Sequence, residues 1–355
     1  MNHLMPQGMA PPLHDLLGVS FVFNTQINVL GWDKGFACFG LQDGSVAIMR
    51  ANWDGAPVLT NRPGGGVEII AATAPPPPPA IFPVHKTAVT CLANDPLCGV
   101  LTGGADGAFC RMNDGEIKII DGRRKSINAV AAGRGGRRAC ATGRHVDILG
   151  PDARRLTMPK AVTGLCYDPA GLHLAVGYGD GVSMEACAVR DAPRAPMLGA
   201  CTMLAWRHDG GMLAAASHQG SLVIRARDEP AWRHVDIPIS ATAIAFEIMG
   251  NLLIGGEAFL LVWRNGDLFE ISGNDMRGPV ACHPRLPVIA CADKQGRIVL
   301  RAVDDQSAIQ VREPGTAPIL LSFSPDGQAL AFATLDGEAG TVMLPDLLFR
   351  RTERA

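Results

Sequence analysis

Six Asp-Gly or Gln-Gly turns, each followed by an apolar strand, recur along this chain at Gly44, Gly107, Gly181, Gly220, Gly296 and Gly337. Their successive separations are 63, 74, 39, 76 and 41 residues. Two are near 40, and 74 and 76 are near twice 37 or 38, so each double gap holds a copy without its Asp-Gly turn. Residues 127–149 fit the first gap and residues 243–263 the second. The 63-residue gap is one repeat plus an insertion between residues 52 and 83 that contains Gly64-Gly65-Gly66 and the five prolines at 75–79. The cleanest copy, residues 318–344, alternates apolar and small residues between turns at Ser324-Pro325-Asp326-Gly327 and Asp336-Gly337. Period-two alternation bounded by such turns reads as three antiparallel strands. Eight triplets begin near Ile27, Ala88, Ile127, Val162, Thr202, Ala243, Val280 and Ile319, with fourth strands at 117–120, 268–271 and 309–311.

Repeats of about 40 residues with four short strands each define the blades of a β-propeller, because a single blade cannot bury its own two faces. The expected fold is all-β: eight four-stranded blades, with seven as the alternative. Residues 19–24, VSFVFN, alternate correctly to supply the outer strand of the last blade, pairing the N-terminus with it and removing an exposed edge. The tail from Pro345, with Arg350, Arg351 and Arg354, is the other candidate for that strand. The division that follows is an extended or disordered tail at 1–18, one propeller over 19–347 with its insertion at 52–83, and a basic tail at 348–355.

The chain resembles the WD40-repeat family. The resemblance rests on Phe323-Ser324-Pro325-Asp326-Gly327 with Thr334 and Asp336-Gly337, on Tyr167-Asp168-Pro169, on the segment from Trp206 to Gly210, and on Leu261-Val262-Trp263. It covers nearly the whole chain. In that family a His, a Ser/Thr, an Asp and a Trp form a hydrogen-bonded set within a blade. His85 and Asp106 match it in the second blade, where Gly104 and Met112 occupy the Ser/Thr and Trp positions; Thr334 and Asp336 match in the last blade. The function this resemblance implies is a non-catalytic scaffold that binds one or more proteins, with the chain itself a monomer.

Composition narrows the alternatives. Hydrophobic residues make up 47% of the chain but aromatics only 5%, so the core must be built from small and aliphatic side chains. A formal net charge of -2 gives no global attraction for nucleic acid or an anionic membrane. No apolar run reaches the roughly 18 residues a membrane span needs, and the N-terminus lacks the pattern of a secretory signal. The ten cysteines are scattered singly with no CxxC pair, which reads as buried thiols in a reducing compartment, the cytoplasm.

Motifs that might carry chemistry fail on context. The cluster Gly177-Tyr178-Gly179-Asp180-Gly181 precedes an alternating strand, where dinucleotide binding needs a helix. Gly64-Gly65-Gly66 lacks the Lys-Ser/Thr of a phosphate loop. Cys282-His283 with Cys291, and His85 with Cys91, lack the paired spacing of a structural zinc site. No GxSxG or His-Glu-x-x-His is present, and the innermost strands are almost without ionisable groups, unlike propeller lactonases with a metal in the channel. No cofactor, metal or catalytic residue is therefore expected.

Charge distribution supplies the candidate partner surface. Eleven Lys/Arg against three acids lie between Lys118 and Lys160. Propeller topology places Arg134, Arg137 and Arg138 in the turn between first and second strands, and Arg154 and Arg155 in that between third and fourth, all on the lower rim. Arg123, Arg124, Lys125 and Lys160 fall in connections between blades, on the upper face with His85 and Lys86. Five arginines on one rim suit a phosphate, a nucleic acid or an acidic protein surface, the second reading of function. No aromatics interleave them, which argues against base stacking. A channel-based hydrolase is the third reading. The prolines at 75–79 are expected to be a stiff spacer between the first two blades, with docking in a partner's groove the alternative. Trp53 is expected to be the exposed tryptophan and Phe323 to be buried between blades.

Overall fold

A computed structural model of the chain describes residues 11–62, 66–97, 99–122, 125–186, 192–271, 276–305 and 307–349. Eight four-stranded antiparallel sheets form the ring; in seven the strands run in sequence order from the inside out, and in the eighth the outermost strand comes from the N-terminus. The innermost strands are Ile27–Asp33, Val89–Asn94, Ala129–Gly133, Val162–Tyr167, Cys201–Trp206, Ala241–Phe246, Met276–Cys282 and Pro318–Phe323, numbered here as blades 1 to 8. The fourth strands expected at 117–120, 268–271 and 309–311 are Glu116–Gly122, Asp267–Glu270 and Ala308–Arg312.

Each sheet is covered on both faces by its neighbours, so a middle strand is buried along its whole length. Ala329–Thr334 of blade 8 has no exposed residue. Small side chains let the sheets approach closely, as the low aromatic content requires. The core between blades 8 and 1 stacks Ala329, Ala331, Ala333 and Ala339 against Trp32, Phe39 and Met49. At Gly340 an added Cβ would lie 2.3 Å from the Phe332 ring.

The ring closes as the repeat arithmetic anticipates. Gly18–Val22 pairs antiparallel with Glu338–Met343, with Val19 opposite Thr341, and becomes the outer strand of blade 8. The Trp32 indole of blade 1 donates to Ser322 Oγ of blade 8 at 3.2 Å. Residues 13–17, counted in the N-terminal tail by sequence, form a short helix whose Leu13 and Leu17 are buried with Val311 and Phe332.

The insertion has its own structure. Val58–Asn61 and Val67–Ile70 form a hairpin, and its Leu59 joins Leu344 and Leu348 in the core of blade 8. Ala80–Pro83 pairs with Ser45–Arg50 as the outer strand of blade 1. The prolines at 75–79 therefore run from the hairpin to blade 1's own outer strand, not between blades 1 and 2. Trp53 is half-buried, packed against the cores on both sides of the closure, with its Nε1 donating to Ala74 O at 3.0 Å. The exposure expected of it is absent because the insertion folds back over the ring. Leu348 is buried, while Arg350, Arg351 and Arg354 lie outside the described residues.

Side chains near the upper end of the innermost strands tie neighbouring blades together. Thr90 donates to Ile127 O (2.6 Å), Thr163 to Cys201 O (2.5 Å) and Asn28 Nδ2 to Val89 O (3.0 Å). In each case the donor is the residue at the bulge of its own strand, and the acceptor belongs to the chain entering the next blade.

Candidate functional site

On the lower face, the residue that follows the innermost strand caps the turn in several blades. Asp168 Oδ1 accepts the Leu172 and His173 backbone N–H at 2.6 and 2.9 Å. Glu247 accepts from Met249 and Asn251 N, Ser324 Oγ from Ala329 N, and His283 Nδ1 from Arg285 and Leu286 N. Asp168, Glu247, His283 and Ser324 are all buried. Burial pushes the Asp168 carboxyl up, but the hydrogen bonds from the His173 side chain and from the His173 and Leu172 backbone together outweigh it, holding its pKa below the ordinary value.

The basic rim is less free than its sequence suggests. Arg137 Nε is 2.6 Å from Asp152, and Arg138 grips Asp95 of blade 2 at 2.7 Å. The Asp95 side chain is 1% exposed. Arg137 and Arg138 begin the second strand of blade 3; only Arg134, which is exposed, stands in the turn itself. Arg154 and Arg155 are not in a turn. They open the outermost strand Arg154–Thr157, where Arg154 donates to Ala186 O at 2.8 Å and Arg155 pairs with Asp147 at 2.6 Å. The five arginines thus do not form one open cluster. Asp152 and Asp147 of the same blade and Asp95 of the adjacent one, which a count over residues 118–160 omits, pair with Arg137, Arg155 and Arg138.

The upper-face candidates divide as well. His85 is buried, Nδ1 facing Asp106 Oδ1 at 3.2 Å and Nε2 facing Thr102 Oγ1 at 2.9 Å, so it presents nothing to a partner. Burial holds its pKa below the ordinary histidine value, against the opposing pull of Asp106. The hydroxyl sought at position 104 is supplied by Thr102; a Cβ on Gly104 would lie 2.3 Å from both His85 Nδ1 and Asp106 Oδ1. Lys86 donates its backbone N–H to Asp106, and Lys160 pairs with Asp180 at 2.8 Å. Arg123 and Arg124 lie outside the described residues.

Lys125, however, meets Arg155. With Thr142, Gly143, Arg144 and His145 they line a pocket of about 380 Å³ at the upper, outer edge of blade 3. Sequence reasoning assigned Lys125 and Arg155 to opposite faces and did not single out Arg144 or His145. Their joint signal was available only as a turn, Gly143-Arg144, that returns the chain to the upper face.

What the lower face offers instead is apolar. The turns that leave the innermost strands of blades 2, 4 and 6 present Leu97 (61% exposed), Leu172 (50%) and Met249 (75%) to solvent. The described cysteines are all free, and burial pushes the thiols of Cys38, Cys91, Cys201 and Cys291 up to about 12. Among the described residues no three His, Cys, Asp or Glu side chains converge as a metal-binding group. No helix among them is long and apolar enough to cross a membrane.

The fold and these surfaces define the class: an eight-bladed, all-β propeller closed by its own N-terminal strand. No family model matches the chain, and no curated protein matches it. Among solved structures it is similar to the crystal structure of the computationally designed Ika8 protein, at 14% identity and a TM-score of 0.66 over 91% of this chain and 98% of that one. It is also similar to the structure of U3-55K, at 11% identity and a TM-score of 0.57 over 92% and 98% of the two chains. At these identities the likeness is one of fold.

Proposed function

We propose that this propeller is a non-catalytic platform of WD40 type that binds other proteins, and that its lower face is the principal docking surface. One observation carries this: Leu97, Leu172 and Met249, at corresponding turns of three alternate blades, expose large apolar side chains on one face. Large apolar side chains set beside an exposed arginine, Arg134, match the composition of protein interfaces. The ionisable groups beneath these turns cap backbone N–H groups or tie blades together, and the innermost strands carry mainly small, aliphatic and uncharged polar residues, with Asp33 and Arg277 the charged exceptions; both support a binding role over a catalytic one. The His85–Thr102–Asp106 set supports the WD40 kinship. The free, buried thiols suit a reducing compartment such as the cytoplasm.

The test is affinity capture from the native host with wild type and with a Leu172→Asp/Met249→Asp variant. The platform predicts a defined protein retained by wild type and lost by the variant, with the variant's unfolding temperature unchanged. The proposal falls if the variant retains the same proteins as wild type.

A further inference from the structure

The pocket at the upper edge of blade 3 gathers positive charge from three separate stretches of chain. Lys125 comes from the connection entering blade 3, Arg144 from the turn between its second and third strands, and Arg155 from its outermost strand. None of the six lining residues is an acid. Asp147 pairs with Arg155 at 2.6 Å and compensates one of the three permanent cations, leaving the charges of Lys125 and Arg144 uncompensated by any ion pair among the described residues. Arg144 and Lys125 are both exposed.

A second observation points to a ligand. Thr142 Oγ1, on the pocket wall, is buried and has no hydrogen-bond partner. Buried polar atoms are nearly always satisfied, so an unsatisfied hydroxyl on a residue that lines a cationic pocket points to an acceptor oxygen as its partner. His145 adds a ring nitrogen, its other role being contact with Thr157 Oγ1 at 3.1 Å. Guanidinium, ammonium, hydroxyl and imidazole converging on one volume match the several acceptor oxygens and concentrated negative charge of a phosphate group.

We infer that this pocket binds a phosphate group, carried by a phosphorylated segment of a protein partner or as the free anion. The phosphorylated-segment form rests on the platform function proposed above and gives it a switch: one phosphate added to a partner would strengthen its hold on the upper edge without altering the lower face. The pocket lies on the opposite face from Leu172 and Met249, so both surfaces are available to one partner at once.

The experiment titrates the full chain with inorganic phosphate and with a short phosphoserine peptide of otherwise uncharged sequence, followed by calorimetry. The unphosphorylated peptide is the control. Saturable binding of the phosphopeptide, weakened at least tenfold by Lys125→Ala/Arg144→Ala and unchanged by Arg134→Ala, supports the inference with a protein-borne phosphate. Binding of inorganic phosphate alone with the same response to variants supports it with a free anion as ligand. Both variants change exposed side chains, so folding is retained and checked by the unfolding temperature. The inference is overturned if neither probe binds, or if the double variant binds as wild type does. Loss of phosphate binding with partner capture intact would leave the platform standing, whereas loss of capture by the Leu172→Asp/Met249→Asp variant alone would leave the pocket standing.

Discussion

His283 Nε2 faces the carbonyl of Gly327 at 3.1 Å, joining blade 7 to blade 8 by a side chain that in sequence stands near Cys282 and Cys291 without the spacing of a zinc site. Because Nδ1 accepts from Arg285 and Leu286 N, the proton sits on Nε2, and both ring nitrogens are committed to the fold. Phe323 and Phe349 enclose the ring edge-on at 5.2 and 5.6 Å. Burial is the main cause that holds its pKa below the ordinary 6.5. Protonation would remove the Nδ1 acceptor and place a charge in an apolar contact.

Stability against pH follows from that geometry. His283 and His85 both have folded pKa values below the unfolded one, so the unfolded chain binds protons first. Their contribution is fully present above about pH 6.5 and declines as pH falls from there toward the depressed folded values. Denaturant unfolding at pH 7.5 and pH 5 should show lower stability at pH 5, with the difference reduced in His283→Gln. Equal pH dependence in the two proteins would contradict the assignment.

Phe323 is buried at the same interface, as its place in the repeat predicts. Phe323→Ala should cost about 3–5 kcal/mol in chemical unfolding, from lost transfer free energy plus an unfilled cavity. A loss under about 1 kcal/mol would mean that the interface collapses around the gap.

The blade 3 arginines should separate by their partners, not by their place on the rim. Arg138→Ala leaves the buried Asp95 carboxylate without its cation and should destabilise by about 3–5 kcal/mol. Arg134→Ala, at an exposed turn, should stay within about 0.5 kcal/mol of wild type. Similar small effects at both positions would show that the ion pair across blades 2 and 3 contributes nothing.

These arginines also mark how far the sequence carries. Turn chemistry is local, so Asp336-Gly337 and its counterparts expose the blade count, and the alternation of residues 19–24 exposes the closure. Pairing across blades is not local. Asp95 is 43 positions from Arg138, and a charge count over a continuous stretch sees one and omits the other. Gly104 in the place of a hydroxyl residue looked like a lost hydrogen bond. In space, it leaves room for His85 to turn toward Thr102, two residues earlier on the strand. The hairpin in the insertion was hidden because Val58–Asn61 and Val67–Ile70 resemble blade strands less than linkers, and its anchors are few: Leu59, with Val67 and Ile69 packed against the same core.

Removing residues 1–23 should unseat the closing strand and bare the edge of Glu338–Met343, whose backbone groups now pair with Gly18–Val22. An open edge is a template for another chain. Light scattering should show dimers or larger species in the truncated protein at concentrations where the full chain is monomeric. A truncated chain that remains monomeric and unfolds at the same temperature would contradict a ring held shut by its N-terminus.

The platform itself is tested most directly by the dissociation constant of the captured complex, measured for wild type and for Leu172→Asp/Met249→Asp at low and high salt. Apolar burial at the lower face predicts a wild-type affinity that changes less than about tenfold between 0.1 and 1 M salt, since screening acts on charges and not on apolar contact, and a loss of at least tenfold in the variant at both. An affinity that collapses with salt and ignores the two substitutions would contradict it.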